Sequence, residues 1–429
     1  MNQFKRYERS MARLLPITIL VVMPMFVLGS EPNRKEIRRL IMALDDANMR
    51  QGASIALANL GQPAVPALRK SLVSARKDVR LWSAYTLGQI GPVAKSAVEA
   101  LSVSLTDADP ALRAAAAQAL GKIAAPTVVD GLSNALGDEN RQVRRNAAVA
   151  LRQIGSAAGS ATKKLIGALS DQHVRTIARD ALIQIGPDAV DSLVASLADD
   201  TIRFDVMVVL RTVDPVKTRQ KGLEKPTAAD LPSLHQVLYD VTRQPADRTA
   251  AAASLVTLGD GGLAVLIEAF GVQEIARTAA EAFAKADSAA VPSLVKVLTH
   301  QQPDVRASAA DALGHMGIAA SDAVTDLMAL LSDQDRQVRY HAVRALHELG
   351  PKAKPAVRVL SEIVLNAGES EAIRNWAIKT LVVTLPETQD EVVKTLIQAS
   401  AEDVNYQVRQ IARQQLRKVD PEAADAAGS

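Results

Sequence analysis

A short phrase recurs along most of this chain, and it restricts the possible folds more than any other feature. An apolar residue and an Arg are followed by small residues three and four positions after the Arg and by a Leu seven positions after it; Ile-Gly or Ile-Gly-Pro often ends the phrase. The clearest copies begin at Arg80, Arg113, Arg144, Arg175, Arg306, Arg339 and Arg409. Weaker copies begin at Arg50, Arg203, Arg248, Arg277 and Arg374. These twelve copies, mostly 28 to 35 residues apart, are typical of a repeat architecture.

The spacing inside the phrase is helical. Apolar or small residues fall at positions −1, +3, +4, +7 and +10 from the Arg, which form one face of an α-helix. A second apolar segment precedes each Arg and often ends in Leu-x-Asp, as at Asp107, Asp138, Asp171, Asp199 and Asp333. We expect each Asp to form the turn between the helices and to cap the second one, and Gly-Pro to end it. Because one hairpin cannot bury both its faces, the pattern predicts an all-α solenoid of about twelve stacked helix-turn-helix units.

These repeats resemble the HEAT-repeat family, particularly the short bacterial form seen in proteins related to phycobilisome (bilin) lyases. The resemblance covers roughly residues 34–420. It implies no catalytic residue, because the residues that the family shares are packing residues. It also implies that each repeated Arg pairs with a turn Asp or with helix-end carbonyls of the next repeat. We expect this role here, rather than a basic ladder that binds an anionic ligand.

The N-terminus has the pattern of a secretory signal. Residues 1–13 are basic, residues 14–28 are apolar, and the small residues Gly29 and Ser30 follow. A spanning helix usually needs about 20 apolar residues, so a signal over 1–30 that is cleaved after Gly29 or Ser30 is the favoured interpretation. It predicts an exported protein, periplasmic or extracellular, with no membrane span after cleavage. The alternative is an uncleaved segment that anchors the chain in a membrane.

The overall charge gives no sign of a nucleic-acid partner. The formal net charge is +3, and the first 30 residues contain four basic side chains and one acidic side chain. The rest of the chain is therefore formally neutral, which excludes a global electrostatic footprint for nucleic acid. The chain has no Cys, which excludes disulfides, thiolate nucleophiles and Cys-based metal sites.

The repeat spacing is interrupted once and so divides the chain. Arg203 and Arg248 are 45 residues apart, which is longer than the other intervals. The extra residues are polar and basic and have no apolar periodicity, so we expect an exposed loop there. The C-terminal residues are small and polar, and we expect a frayed tail. The predicted segments are a signal over 1–30, repeats one to six over 31–213, the polar basic insertion over 214–230, repeats seven to twelve over 231–420, and a tail over 421–429.

Catalytic and metal-binding motifs are absent from the sequence. There is no His-Glu-x-x-His, phosphate-binding loop or Gly-x-Ser-x-Gly elbow. His341 and His347 are six residues apart, so on one helix they point about 120° away from each other and cannot share a metal as an i, i+4 pair can. Deoxyhypusine hydroxylase, which is also HEAT-like, binds iron through several His-Glu pairs. The resemblance fails here, because the one pair, His347-Glu348, lies late in its helix. We predict no catalytic residue, metal or cofactor.

A partner is expected on the second helices, which commonly line the concave surface of HEAT-like solenoids. Their non-core positions are +1, +2, +5 and +9 from the Arg. Aromatic and Arg side chains are the usual anchors of interfaces, and both Trp residues of the chain hold a +2 position. An alternative role for them is to cover gaps between neighbouring helices. The candidate partner-binding residues are Trp82, Tyr85, Arg145, Asn146, Tyr340, His341, Arg344, Trp376 and Lys379.

The sequence therefore favours an exported, non-enzymatic scaffold that binds a protein or peptide on its concave face. The alternative is a bilin-lyase-like enzyme or small-ligand binder. A third possibility is self-association through the ends of the array, because terminal repeats need polar outer faces. The sequence leaves the oligomeric state open.

Overall fold

The computed structural model describes residues 34–385 and 389–428, and this part of the chain contains α-helices and short 3₁₀ turns but no β-strand. The predicted signal over 1–30 lies outside the described residues. Each repeat is a hairpin of a first and a second helix, as predicted. Contacts divide the chain into two compact units, of which the first ends at Gln153 and the second begins at Ile154.

The helices of the first unit form four hairpins. In chain order they are α1 Arg34–Ala43, α2 Arg50–Leu60, α3 Val65–Ser71, α4 Lys77–Ile90, α5 Val98–Ser104, α6 Pro110–Ile123, α7 Val129–Ala135 and α8 Arg141–Ile154. In this unit the even-numbered helices are the second helices of the repeats, and each of them carries the repeated Arg near its start.

The second unit continues the pattern through eight further hairpins. Repeats five and six, with the extra helix that follows them, are α9 Thr162–Gly167, α10 Arg175–Ile185, α11 Val190–Ala195, α12 Arg203–Val213 and α13 Pro215–Gln220. Repeats seven to nine are α14 Leu231–Tyr239, α15 Pro245–Val256, α16 Asp260–Glu268, α17 Gln273–Ala282, α18 Val291–Val297 and α19 Pro303–Met316. The remainder are α20 Val324–Leu330, α21 Arg336–Glu348, α22 Val357–Leu365, α23 Glu371–Val383, α24 Gln389–Glu402, α25 Tyr406–Val419 and the terminal α26 Pro421–Gly428. The second helices of this unit are α10 and α12 and, after the extra helix α13, the odd-numbered ones from α15 to α25.

The apolar positions of the phrase form the core of each unit. In the fourth repeat, Val143 and Leu151, which hold positions −1 and +7, have no exposed surface. Val338 and Leu346 hold the same positions in the tenth repeat and are equally buried. The predicted helical periodicity is confirmed, and these side chains contribute the largest favourable term to folding.

Consecutive second helices pack closely because Gly follows the core Leu in three repeats. A Cβ built on Gly88 would lie 3.0 Å from the Cα of Ala119, and one built on Gly314 would lie 3.0 Å from the Cα of Ala345. Gly121 is closer still to the next helix. At these positions a side chain would force the backbones apart. The Leu-Gly pair therefore sets the distance between neighbouring helices.

The ends of the second helices confirm the predicted glycine stops. Gly91, Gly186 and Gly350 have φ of 70°, 80° and 60°, which L side chains rarely adopt. In the third repeat Ala124 holds the equivalent place with φ 53°. That repeat ends its helix in a left-handed conformation without a Gly, at a cost in backbone strain.

Most of the repeated Arg residues have the structural role that was expected of them. The Arg113 Nε donates to the Asp138 Oδ2 of the next repeat at 2.7 Å, and its Nη1 donates to the Asp107 carbonyl at 2.9 Å. Arg306 pairs in the same way with Asp333 of the next repeat. One detail differs from the expectation, because the carbonyls that Arg113 and Arg306 bind lie in the turn after the first helix of their own repeat. Arg277 departs from the pattern, since it is exposed and pairs with Glu281 of its own helix.

The turn Asp residues form the turns, but the prediction that they cap the second helices is wrong. Asp107 and Asp333 each accept a hydrogen bond from the backbone N–H two residues later, at 2.8 Å, which is an Asx turn. The cap is the residue at the end of that turn. Asp109 accepts from the N–H of Ala111, and Asp335 caps α21 in the same way. Because the turn Asp does not cap the helix, its carboxylate can also bind the Arg of the preceding repeat, as Asp333 binds Arg306.

The insertion over 214–230 is more ordered than an exposed loop. It contains α13, and Thr218 in that helix is buried and donates to the Leu210 carbonyl at 3.0 Å. Two of its basic residues are neutralised, since Lys217 lies 2.7 Å from Asp191 and Arg219 lies 3.2 Å from Glu224. The expectation of a loop is wrong for α13, and the expectation of a frayed tail is wrong for α26, which packs on α25 and α24.

A buried ionic network marks the place where the repeat spacing changes. Asp205 of α12 has no exposed surface, and it faces Arg243 at 2.8 Å, Arg179 at 3.4 Å and Arg175 at 3.9 Å. Burial raises the pKa of Asp205, and the surrounding arginines oppose that shift. Arg175 also reaches Asp240, the turn Asp two repeats further on, at 3.3 Å. The junction is therefore held by charges that would be costly to separate.

Candidate partner-binding site

The second unit brings five of the nine candidate residues together on two adjacent second helices. Tyr340, His341 and Arg344 lie on α21, and Trp376 and Lys379 lie on α23. The two helices pack directly against each other. All five side chains are partly exposed. We call this set, with the neighbours described below, the aromatic–cation cluster.

Trp376 is the centre of the aromatic–cation cluster. The Lys379 Nζ lies 4.4 Å from its ring centroid and the Arg344 Cζ lies 5.8 Å from it. The His347 ring contacts Trp376 edge-on, with centroids 5.2 Å apart. Arg344 also lies over Tyr340, at 5.8 Å. Two cations and a histidine therefore hold the indole in place through cation–π and edge contacts.

Asp311 of α19 fixes the other side of the cluster. Its Oδ1 lies 3.2 Å from the Nδ1 of His341 and 3.4 Å from a terminal nitrogen of Arg344. Its Oδ2 lies 3.5 Å from the Nε2 of His315. One carboxylate thus positions three side chains from two helices, so the cluster spans three successive repeats.

The environment shifts the pKa of three groups in the cluster. Burial acts to raise the pKa of Asp311, but hydrogen bonds with His315 and His341 outweigh it and hold that pKa well below its usual range. The hydrogen bond to Asp311 raises the pKa of His315 against the effect of burial. Burial lowers the pKa of His347, with a further contribution from the charge of Lys379. Among the described residues, the His347 Nδ1 has no hydrogen-bond partner.

The first unit holds the other four candidates, and it does not bring them into one cluster. Trp82 and Tyr85 contact each other edge-on within α4, with centroids 5.4 Å apart. Arg145 is exposed on α8. Asn146 donates to the Ala114 carbonyl at 2.8 Å and accepts from Gln142. Its side chain is thus engaged in holding α8 against α6.

Sequence reasoning missed Asp311, His315 and His347. The sequence contains a signal for two of them, because Asp311 and His315 hold the non-core positions +5 and +9 in the ninth repeat. Asp and His are weaker indicators of an interface than aromatic and Arg side chains. His347 holds position +8, and only its contact with the next repeat reveals it.

The cluster contains no arrangement suited to metal binding. In residues 34–385 and 389–428, no group of three or more His, Asp or Glu side chains is placed to hold a metal ion. The same part of the chain has no helix that is both long enough and apolar enough to cross a membrane.

Comparisons with known families agree with the repeat pattern. The model for HEAT repeats matches residues 98–183 and 324–417, a HEAT-repeat model matches residues 290–318, and the model for the PBS lyase HEAT-like repeat matches residues 305–333. The sequence has no significant match among curated proteins.

Solved structures with the same fold include several of Kap121p. The crystal structure of Kap121p matches with a TM-score of 0.60 and 15% identity, covering 92% of this chain and 50% of that chain. The karyopherin Kap121p bound to the SUMO protease Ulp1p matches with a TM-score of 0.61 and 14% identity, covering 92% and 50%. The present chain thus spans half the length of these structures. Together with its stacked hairpins, the matches show that this chain is an all-α solenoid, with HEAT repeats over residues 98–183, 290–318 and 324–417 and a PBS-lyase-type HEAT-like repeat over residues 305–333.

Proposed function

We propose that this chain is an exported, non-enzymatic scaffold that binds a protein or peptide on the face formed by its second helices, the concave face of a HEAT solenoid. The observation that carries the proposal is the aromatic–cation cluster. It places one Trp, one Tyr and two cations, all partly exposed, on adjacent helices and holds them by Asp311.

The physical basis is the cost of ordering a contact surface. Side chains that are already held lose little conformational freedom when a partner binds, so more of the contact energy appears as affinity. Arg344 and Trp376 are fixed from two sides in this way. Aromatic and Arg side chains also dominate the binding energy of known interfaces.

The structural relatives support the same class of function. Kap121p is described in complexes with Ulp1p and with the extreme C-terminus of the protein phosphatase Cdc14p. The fold is therefore able to hold both a protein and a terminal peptide. At 13% to 14% identity, the likeness concerns the fold alone, so the proposed site rests on this chain's own residues.

The alternative, a bilin-lyase-like enzyme, is favoured by the match of residues 305–333 to the PBS lyase repeat. That segment contains most of α19, the whole of α20 and the ionic pair of Arg306 with Asp333. These parts belong to the general packing of the repeats and not to a site of their own. Spectroscopy of the purified chain with added bilin tests this alternative, and a covalently retained chromophore would favour it.

Site-specific photo-crosslinking in the native cell tests the scaffold proposal. A photoreactive residue replaces Tyr340 or Lys379 at the cluster, or Thr325 or Arg358, which are exposed on the first helices of the same two repeats. We expect one defined protein adduct from the first pair only. Equal adducts from both pairs would reject the assigned face, and the absence of any adduct would reject the scaffold.

Export is tested separately by cell fractionation and by sequencing the N-terminus of the mature protein. We expect the chain in the periplasm or medium, beginning at Ser30 or Glu31, because cleavage is predicted after Gly29 or Ser30. An intact N-terminus in the membrane fraction would support the anchored alternative instead.

A further inference from the structure

We propose that the partner segment held by the aromatic–cation cluster is acidic, and that a peptide carboxylate binds Arg344 and Lys379 beside Trp376. The inference rests on the proposed scaffold function and deepens it, because it names the chemistry of the bound segment.

The first argument is that the π-face of Trp376 is already used by cations of this chain. Lys379 and Arg344 both lie within 6 Å of the ring centroid, which is the range of a cation–π contact. A Lys or Arg from a partner would have to displace one of them and would meet the charge of the other. A basic segment is therefore disfavoured, and a carboxylate is attracted by the same two groups.

The second argument is that these two cations keep unused donors, in contrast to the repeated Arg residues. Arg339 on the same helix as Arg344 binds both carboxylate oxygens of Glu369, at 2.6 and 3.2 Å. Arg344 has a single long contact to Asp311, at 3.4 Å, although a guanidinium offers five donors. No carboxylate in the described part of the chain lies within 4.0 Å of the Lys379 Nζ.

The third argument is that several side chains share Asp311. Its oxygens contact His315 and His341 as well as Arg344, so Asp311 is not reserved for Arg344. Asp311 holds Arg344 in place but leaves most of its donors free for a second carboxylate, and such charge-assisted bonds are about twice as strong as neutral ones. Exposed Glu348, next to His347, is the nearby charge that opposes an acidic partner.

Fluorescence anisotropy with three labelled peptides tests the inference on the full mature chain. The peptides share length and apolar residues and carry Asp and Glu, or Asn and Gln, or Lys and Arg at the same positions. We expect the acidic peptide to bind at least about 10-fold more tightly than the other two. Equal or tighter binding of the basic peptide would overturn the inference.

Variants then locate the binding. We expect R344A/K379A to lose about 10-fold or more in affinity for the acidic peptide, because both charge-assisted contacts to its carboxylate are lost. R344K/K379R should retain most of the affinity, because it keeps both positive charges. The matched control is K296A/K352A, which removes two exposed lysines elsewhere in the second unit and should leave affinity within about 2-fold. Equal losses in both double variants would mean long-range attraction alone and would reject the site.

Glu348→Gln is the opposite test, and it should strengthen binding by about 2-fold because it removes the opposing charge. Binding of a phosphorylated peptide but not of the acidic one would reject the carboxylate as ligand. The crosslinking experiment separates the two proposals. Adducts at Tyr340 and Lys379 without acidic-peptide binding would overturn this inference alone, whereas the absence of adducts would remove its foundation.

Discussion

The two Trp residues of this chain occupy the same place in their repeats, one in each unit. Trp82 and Trp376 both lie two positions after the repeated Arg. Four residues later, Thr86 and Thr380 donate their hydroxyls to the carbonyls of the two Trp residues, at 2.6 and 2.8 Å. The local helix is thus built in the same way in both repeats, down to one side-chain hydrogen bond.

Their surroundings differ, and the difference shows where a repeat protein acquires a site. The ring contact of Trp82 is Tyr85 of the same helix. Trp376 has Lys379 of its own helix and also Arg344 and His347 from the preceding repeat. Position within the repeat fixes the backbone and the direction of the side chain. The chemistry is set by what the neighbouring repeat places at its own non-core positions.

The largest expected difference between these two repeats is in the free energy of unfolding that is lost when the repeated Arg, Arg374 or Arg80, is removed. Arg374 and its partner Asp403 have side chains 3% exposed each, and Arg374 also donates to the Val364 carbonyl at 2.8 Å. Arg80 and Asp107 are 3.6 Å apart and 20% and 26% exposed. Breaking the buried pair leaves an uncompensated charge, so Arg374→Ala should cost about 3 kcal/mol or more. Arg80→Ala should cost about 1 kcal/mol.

Urea unfolding followed by circular dichroism measures this difference. Each variant is compared with the wild-type chain at one pH, and the midpoint and slope are fitted together because repeat arrays lose cooperativity. The control is Arg358→Ala, which removes an exposed arginine paired with Glu362 on the surface and should change stability by less than about 0.5 kcal/mol. Equal losses for Arg374→Ala and Arg80→Ala would contradict the contrast between the two repeats.

Most of the fold could be predicted because the same repeat phrase occurs twelve times in the sequence. Apolar positions at helical spacing predicted the hairpins, and Gly-Pro predicted the helix ends, where Gly91 and Gly350 indeed have positive φ. The sequence did not reveal that α13 forms within the insertion, because its buried Thr218 belongs to no apolar period. Nor did it show that the cap follows the turn Asp by two residues, since either residue type can hold either role.

Less of the candidate site could be predicted, for a physical reason. Position +2 identified Trp376, but its contacts with side chains of α21 depend on the angle and offset between α21 and α23. The contact of Asp311 with Arg344 depends in the same way on the packing of α19 against α21, which the close approach of Gly314 to Ala345 helps to set. The sequence shows that Asp311 and Arg344 carry opposite charges, but it does not show that the two side chains are close in space. Contacts between residues 33 apart follow from packing and not from spacing along one helix.

Removing the two indoles should give the next largest difference. Trp376→Ala loses the contacts with Lys379, Arg344 and His347, whereas Trp82→Ala loses the contact with Tyr85. Cation–π contacts at partly exposed sites contribute roughly 0.5 to 1 kcal/mol each. We therefore expect Trp376→Ala to destabilise the chain by about 1 kcal/mol more than Trp82→Ala.

The same unfolding assay measures this effect, and Trp→Phe at each position is the matched control. A Phe keeps much of the apolar contact but has a weaker attraction for cations. Trp82→Phe should therefore retain more of the stability that Trp82→Ala loses than Trp376→Phe retains of the stability that Trp376→Ala loses. A larger loss at Trp82 would mean that burial, and not the cations of the neighbouring repeat, decides the stability of these positions.

The smallest effect concerns pH, because the two units differ in histidine content. Residues 34–153 contain no His, whereas the second unit contains six, beginning with His173. The hydrogen bond to Asp311 raises the pKa of His315 above its ordinary value of 6.5. A raised pKa in the folded state means that the proton stabilises the fold. This contribution is fully present below about pH 6.5 and is lost as the pH rises through the folded-state pKa.

His347 acts in the opposite direction, since burial lowers its pKa and its protonation below about pH 6.5 opposes folding.

The variant His315→Gln tests the contribution of His315. The wild type should lose stability as the pH rises above about 6.5, and the variant should not show this loss, which is worth about 1 kcal/mol or less because the side chain is partly exposed. Melting temperatures between about pH 5.5 and 8.5 for the wild type, His315→Gln and the exposed control His173→Gln measure it. The melting temperature of the control should change with pH as that of the wild type does. The melting temperature of His315→Gln should be lower than that of the wild type at acid pH and should approach it only at the alkaline end. A constant difference across the range would show that His315 contributes packing and not a proton held by Asp311.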